Sequence, residues 1–64
     1  MKAPTPRAIK MARTAAKLSM AQAAELIGYT RFAWFRWEDG SREMRPDLME
    51  LFKQKAKEGN GNAT

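Results

Sequence analysis

Two arginines and two phenylalanines, Arg31, Phe32, Phe35 and Arg36, are the residues whose types and spacing point to binding chemistry. At about 100° per residue they share one side of a helix. Guanidinium groups form paired hydrogen bonds with phosphates and base edges, and aromatic rings pack on flat or methyl-bearing surfaces. The pattern therefore favours a negatively charged, flat-surfaced partner such as nucleic acid. The alternative is that both Phe side chains belong to the core and the helix is buried nearly all round.

The residue types that most often carry catalysis or bind metals are missing. The chain has no Cys and no His. It therefore offers no disulfide framework and no zinc finger, and it lacks the side chain used most often as a general base. No nucleophile stands in a pattern that pairs it with a base. We expect no enzyme activity, no cofactor, no metal and no small-molecule ligand.

A stretch of two short helices and a tight turn, 19–40, is predicted to position the arginines and phenylalanines. Ser19 suits an N-cap, and the first helix is expected from about Met20 to Ile27. Gly28 then supplies a positive φ, which is open to it because it has no Cβ. The chain can turn sharply there and begin a second helix.

The second helix of this stretch is expected over 31–38, after Thr30 as its N-cap and before Gly40. The side opposite the arginines is predicted to be core and carries Ala33, Trp34 and Trp37. The side with the arginines is expected to carry no acid, with Glu38 at its edge. This helix would then present one binding face to solvent.

The stretch 19–40 resembles the helix-turn-helix of the Cro/C1-type repressor family. The matching residues open the first helix, let the helices approach, form the turn and close the second helix: Ser19, Ala23, Ala24, Gly28, Thr30 and 36–40. The similarity covers roughly 9–55, and small phage regulators of this family, including anti-CRISPR-associated autorepressors, are similar in size. The resemblance implies an all-α, lambda-repressor-like domain of four helices, or five, that binds DNA through its second motif helix.

The expected contacts with the DNA backbone depart from the family at one position. The family usually has Gln at the first residue of the first motif helix, whereas this chain has Met20, whose side chain cannot donate a hydrogen bond. Only backbone N–H groups could bind phosphate there. More of the base reading would therefore fall on the second helix. The expected backbone contacts are Ser19, Met20, Thr30, Ser41, Arg42 and Arg45. For either Arg42 or Arg45 alone, the alternative is a merely solvated side chain.

The first helix of the chain is expected from Pro6 to about Lys17, with Thr5 as its N-cap. Arg13 lies near the apolar stripe of this helix rather than opposite it. In the resembled family the matching Arg pairs with the Glu at the end of the second motif helix. The resemblance therefore implies an ion pair between Arg13 and Glu38. The alternative is an ordinary surface arginine.

The last helix is predicted from Pro46 to about Lys57. Its apolar stripe spans roughly 140–160°, wider than packing on one core requires. The surplus could form a homodimer contact through Leu48, Met49, Leu51 and Phe52. The alternative is that the stripe only covers a small core. The domain would then occupy 1–58, followed by a flexible tail over 59–64.

Length and charge limit the class of protein further. The chain has 64 residues and a net charge of +5, which allows one small, marginally stable basic domain. Residues 1–32 hold six Lys or Arg against one Glu, so the net positive charge is concentrated in the N-terminal half of the chain. Such a charge attracts phosphate backbones and anionic membrane surfaces. Because we find no apolar run of membrane-spanning length and no signal peptide, we expect a cytoplasmic protein. The resemblance to the Cro/C1-type family implies that the cell is prokaryotic or phage-infected.

The leading hypothesis is a sequence-specific double-stranded DNA-binding repressor that occupies a palindromic operator as a homodimer. Arg31 and Arg36 would read guanine, while Phe32 and Phe35 would pack on thymine methyls or sugars. The main alternative is a protein-interaction module of the antitoxin or anti-activator type, which would use the two Phe residues and the last helix. A cationic amphipathic membrane binder is disfavoured by two Trp on the predicted core side.

Overall fold

The part of the chain that the structure describes folds into four helices. The computed structural model describes the backbone of residues 2–62 and the side chains of residues 2–58. Over that range it forms no strand, and its helices are α1 (Pro6–Ala15), α2 (Met20–Leu26), α3 (Arg31–Asp39) and α4 (Pro46–Asn62). This confirms the predicted all-α class, and the described residues form four helices rather than five. No helix in the described part of the chain is both long and apolar enough to cross a membrane.

A hydroxyl side chain caps the N-terminus of each of the first three helices. Thr5 accepts a hydrogen bond from the Ala8 N–H at 3.1 Å, Ser19 from Gln22 at 3.1 Å, and Thr30 from Ala33 at 3.2 Å. Each bond satisfies one N–H that has no partner within its helix. The three predicted caps are confirmed, and they explain why the helices begin at Pro6, Met20 and Arg31.

Helices α1 and α2 end in the same way, with a residue of positive φ just beyond the helix. Gly28 has φ +77°, as predicted, and Lys17 has φ +60°. At each of these ends two backbone N–H groups donate hydrogen bonds to carbonyl oxygens of the last helical turn, for example Tyr29 N–H to Ala24 O at 2.9 Å. This is a Schellman end, which usually uses Gly. Because Lys17 adopts it, α1 stops at Ala15, two residues before the predicted end.

The last two helices are longer than predicted. Helix α3 includes Asp39, and Gly40 with φ +88° follows it. Helix α4 continues past Lys57 to Asn62. Glycine and asparagine are weak helix formers, which is why the sequence favours an earlier end. The predicted flexible tail, 59–64, overlaps this end of the helix, and its residues 63 and 64 lie outside the described residues.

The core forms where α1 packs on α3 and α4 packs on α2. Trp34 stands at its centre, fully buried, with its ring 4.9 Å from Phe52 and 5.6 Å from Trp37. Two buried alanines on α2, Ala23 and Ala24, let α2 and α3 approach closely. The remaining buried apolar residues are Ile9, Ile27, Met44 and Met49. This packing holds α3 by one side and leaves its other side in solvent.

Candidate nucleic-acid interface

The solvent side of α3 carries the two arginines and two phenylalanines that the sequence singles out. Phe32 is 66% exposed and Phe35 is 50% exposed, and Arg31 and Arg36 are exposed as well. The alternative of a nearly buried helix is therefore wrong. We call these four residues the α3 face.

Two buried Trp side chains anchor the helix directly behind the α3 face. Trp34 is completely buried and Trp37 is 4% exposed, while Ala33 is only partly buried. Because three to four residues make one turn, these anchors alternate along α3 with the exposed residues. The α3 face is thus held on a well-packed helix rather than on a loop.

The side chains of the α3 face are partly organised by contacts with each other. The guanidinium carbon of Arg31 lies 5.3 Å from the centre of the Phe32 ring. That distance is within the range of a cation–π interaction, although the gain is small at an exposed site. The contact holds a hydrogen-bond donor beside an apolar ring at the first turn of the helix.

One acid shares this side of the helix, contrary to the prediction that none would. Asp39 is exposed and belongs to α3. At about 100° per residue it falls between Phe35 and Arg36. Asp39 was not expected on this side because the helix was predicted to end at Glu38. The acid lies at the C-terminal end, three residues beyond Arg36, so the first two turns carry cations and rings only.

Met20, at the start of α2, lies beside the α3 face. It is partly buried, packs on the core, and lines an open groove of about 380 Å³ together with Arg31, Phe32 and Phe35. Three of the four lining side chains are apolar. The position where the resembled family usually has a polar amide therefore contributes to an apolar surface here.

Of the expected backbone-contact residues, all but Met20 are exposed. The Ser19 and Thr30 hydroxyls act as cap acceptors, which leaves each O–H free to donate to a phosphate. The Arg42 N–H donates to Arg36 O at 3.2 Å, so the loop with Ser41 and Arg42 folds back over the end of α3.

Arg45 differs from the other residues expected to contact the DNA backbone, because its guanidinium already forms an ion pair with an acid. Its Nε and one terminal nitrogen donate to Asp47 at 3.1 Å and 2.9 Å. The pair is largely exposed, at 72% and 62% for the two side chains, and exposed pairs contribute little free energy. A phosphate would have to compete with this carboxylate for Arg45.

A partly buried ion pair supports α3 from the side of α1. Arg13 Nε donates to Glu38 at 2.5 Å, and Trp34 Nε1 donates to the same carboxylate oxygen at 2.6 Å. The predicted pair between Arg13 and Glu38 is confirmed. The bond from Trp34 was not predicted, although its spacing of four residues from Glu38 on one helix could have indicated it.

The capping box at the start of α2 was also missed. The Gln22 side chain accepts a hydrogen bond from the Ser19 N–H at 3.0 Å while Ser19 caps Gln22. The spacing of Ser followed three residues later by Gln is the sequence signal of this arrangement. It fixes the entry of the chain into α2 next to the α3 face.

The predicted dimer contact on α4 requires correction. Met49 is 6% exposed and Phe52 is 1% exposed, and both belong to the core. Leu48 is partly buried against the core, whereas Leu51 is 36% exposed. The alternative that the stripe covers the core is right for Met49 and Phe52, because α4 is needed to close the domain over Trp34. Leu51 is the residue of the predicted contact that faces solvent.

Comparison with known proteins adds no assignment. No family model matches this chain, and no curated protein matches its sequence. The α3 face, with its buried anchors and neighbouring groove, is the feature of the described residues that points to a function.

Proposed function

We propose that this protein is a sequence-specific, double-stranded DNA-binding transcriptional regulator, a repressor that acts by occupying a promoter. The single observation that carries the proposal is the α3 face: two guanidinium groups and two aromatic rings exposed on a helix whose other side is buried. The major groove of B-DNA is about 12 Å wide and admits one α-helix. In helix-turn-helix proteins the N-terminal residues of the second helix contact base edges. Arg31 and Phe32 are the first two residues of α3.

Base reading would come from the first two turns of α3. Arg31 and Arg36 can each present two parallel N–H donors to the N7 and O6 acceptors of guanine. Phe32 and Phe35 offer rings to apolar base edges. Asp39 lies at the far end of the helix, where a helix that enters the groove by its N-terminus leaves the bases. Its position therefore fits the same orientation.

Contacts with phosphates would set the register of α3 in the groove. Ser19 and Thr30 retain an O–H donor after capping their helices, and Arg42 is an exposed cation at the C-terminal side of α3. Phosphate contacts position a protein on the duplex without reading its sequence. The excess of cations over acids in residues 1–32 adds a favourable long-range field.

The exposed phenylalanines also favour a second candidate, a protein-interaction module. Phe32 and Phe35 lie on one face at 66% and 50% exposure, and adjacent exposed aromatic rings are typical of partner surfaces. Such a module would bind an apolar partner surface through these rings. Its affinity would depend weakly on salt, whereas DNA binding loses affinity steeply because counterions are released.

Selection of bound sites from random duplex DNA tests the proposal, followed by salt titration of the affinity for the selected site. We expect one preferred sequence and a steep fall in affinity with salt. Arg36→Ala should relax the preference at one base pair, while Arg42→Ala should lower the salt slope by about 1 without changing the preference. Lys57→Ala removes a cation on the α1–α4 side of the molecule and serves as the matched control.

The outcomes separate the two candidates. Absence of any preferred duplex sequence, or an Arg36→Ala variant that binds the selected site like the parent protein, contradicts the assignment of the α3 face to DNA. If a protein ligand is instead found, its binding should depend on Phe32 and Phe35 and change little between low and moderate salt.

A further inference from the structure

The groove beside the α3 face has an unusual composition for a surface that would meet DNA. It is lined by Met20, Phe32 and Phe35, with Arg31 as its polar member, and it is open to solvent, with a volume of about 380 Å³. We call it the Met20 groove. Apart from the guanidinium of Arg31, its lining side chains carry no strong hydrogen-bond donor or acceptor.

An apolar groove needs an apolar group to fill it. Among the base edges of the major groove, the C5 methyl of thymine is the apolar group, and the other edges present hydrogen-bond donors and acceptors. A phosphate or a bare amino edge would lose its water against methionine and phenylalanine without gaining a hydrogen bond. Within the major groove, the chemistry of the lining therefore matches a 5-methylpyrimidine.

We infer that the Met20 groove takes up the C5 methyl group of a pyrimidine, so that this protein reads thymine, and equally 5-methylcytosine, by the methyl group. The inference rests on the proposed function and specifies what the site recognises. Arg31, whose guanidinium lies 5.3 Å from the Phe32 ring, lines the same groove. The preferred step would then join a methylated pyrimidine to a guanine, whose N7 and O6 suit a guanidinium.

Replacing single thymines by deoxyuridine in the selected duplex tests this, because the two bases differ only in the methyl group. We expect deoxyuridine to weaken binding about fourfold at one or two positions per half-site, the factor that corresponds to ~0.8 kcal/mol for one buried carbon. At the same positions, a cytosine should bind less tightly than a 5-methylcytosine by a similar factor.

The variant Phe32→Ala assigns the effect to the groove. Its ring is 66% exposed, so the variant should melt near the parent protein and should bind thymine and deoxyuridine duplexes equally. Arg42→Ala, which should lower affinity for every duplex, should keep the fourfold difference and serves as the control. Met20→Gln should also reduce the difference, since it replaces an apolar wall by an amide.

Three results would each overturn the inference. One is deoxyuridine that binds like thymine at every position, or a selected site without thymine, while Arg36→Ala still weakens specific binding; the proposed function then survives. A second is a chain that prefers no duplex sequence, which removes the proposed function together with the inference. A thymine effect that persists unchanged in Phe32→Ala also contradicts it, because the methyl group is then read elsewhere.

Discussion

Arg13 and Glu38, 25 residues apart in sequence, form a two-bonded ion pair that joins α1 to the end of α3. Arg13 Nε lies 2.5 Å from one oxygen of Glu38, and a terminal nitrogen lies 3.3 Å from the other. The second terminal nitrogen donates to Leu18 O at 3.0 Å. The side chains are only 14% and 6% exposed. The pair therefore fixes the end of α3 against α1 from within the protein.

Breaking this pair from one side should be costly. Arg13→Met leaves the Glu38 carboxylate with Trp34 as its remaining side-chain partner, and Glu38→Gln leaves the guanidinium without a counter-charge. Each single change should lower the free energy of unfolding by about 3–5 kcal/mol, because it strands a partly buried charge. The double variant should lose less than the sum. Urea unfolding of the four proteins in a stabilising osmolyte, which keeps the weakened variants folded before urea is added, measures the coupling, and additive losses would contradict it.

The exposed pair Arg45 and Asp47 supplies a control for the same measurement. It has similar bidentate geometry, but its side chains are 72% and 62% exposed. Water screens such a pair, so its coupling free energy should stay below about 1 kcal/mol. A coupling as large as that of Arg13 and Glu38 would show that burial is not what makes the inner pair strong.

Features encoded by neighbouring residues could be predicted from the sequence. The caps Thr5, Ser19 and Thr30, and the positive φ of Gly28, depend on one side chain and the next few backbone groups. The two sides of α3 follow from helical spacing alone. The Arg13–Glu38 pair is long-range, and it could be expected only because the resembled family has the same two residue types.

Features that depend on how the helices pack could not be predicted. The apolar stripe of α4 is the same whether Met49 and Phe52 face a core or a partner chain, and only the position of Trp34 decides between them. The positive φ of Lys17 likewise could not be predicted from the sequence, because lysine rarely adopts a positive φ. The Met20 groove exists because α2 and α3 cross closely, which spacing within either helix does not show.

Lys17 stores backbone strain that can be removed. Its φ of +60° costs an L-residue about 1–2 kcal/mol, whereas glycine adopts it freely. Lys17→Gly should therefore raise the free energy of unfolding by up to about 1 kcal/mol after the added entropy of the unfolded chain is subtracted. Lys17→Ala, which removes the charge and keeps the strain, is the control in thermal melting. Equal melting temperatures for the two variants would contradict the strain.

Gly28 offers the reverse change at the equivalent position of α2. Its φ is +77°, and a Cβ added there would meet no atom within 4 Å. The cost of Gly28→Ala should therefore come from the backbone conformation alone, about 1–2 kcal/mol. A larger loss in urea unfolding would point to a contact with the turn beyond the backbone effect.

Substitutions on the two sides of α3 should have different effects, one on folding and the other on DNA binding. Trp37 is 4% exposed, and truncating a buried Trp to Ala costs roughly 3–5 kcal/mol, close to the total stability of so small a domain. Trp37→Ala should unfold the protein and lose DNA binding as a consequence. Arg36→Ala should leave the melting temperature nearly unchanged and weaken specific binding by about 1–3 kcal/mol. Circular dichroism melting measures the stability, and titration with the selected duplex measures the affinity. A clearly lowered melting temperature in Arg36→Ala would contradict the assignment of Arg36 to the binding side of α3.

Two protomers should bind each selected duplex, with their α3 helices about 34 Å apart. Under the proposed function one α3 would read only a few base pairs, too few to mark one site in a genome. Leu51, 36% exposed, is the apolar residue of α4 that a partner could cover, so Leu51→Lys should preserve folding and weaken binding of the second protomer. Met11→Lys makes the same change at a 61% exposed position of α1 and should leave pairing intact. Sedimentation on the duplex counts the protomers; one protomer at saturation for the parent protein, or equal pairing in both variants, would contradict a dimer formed through α4.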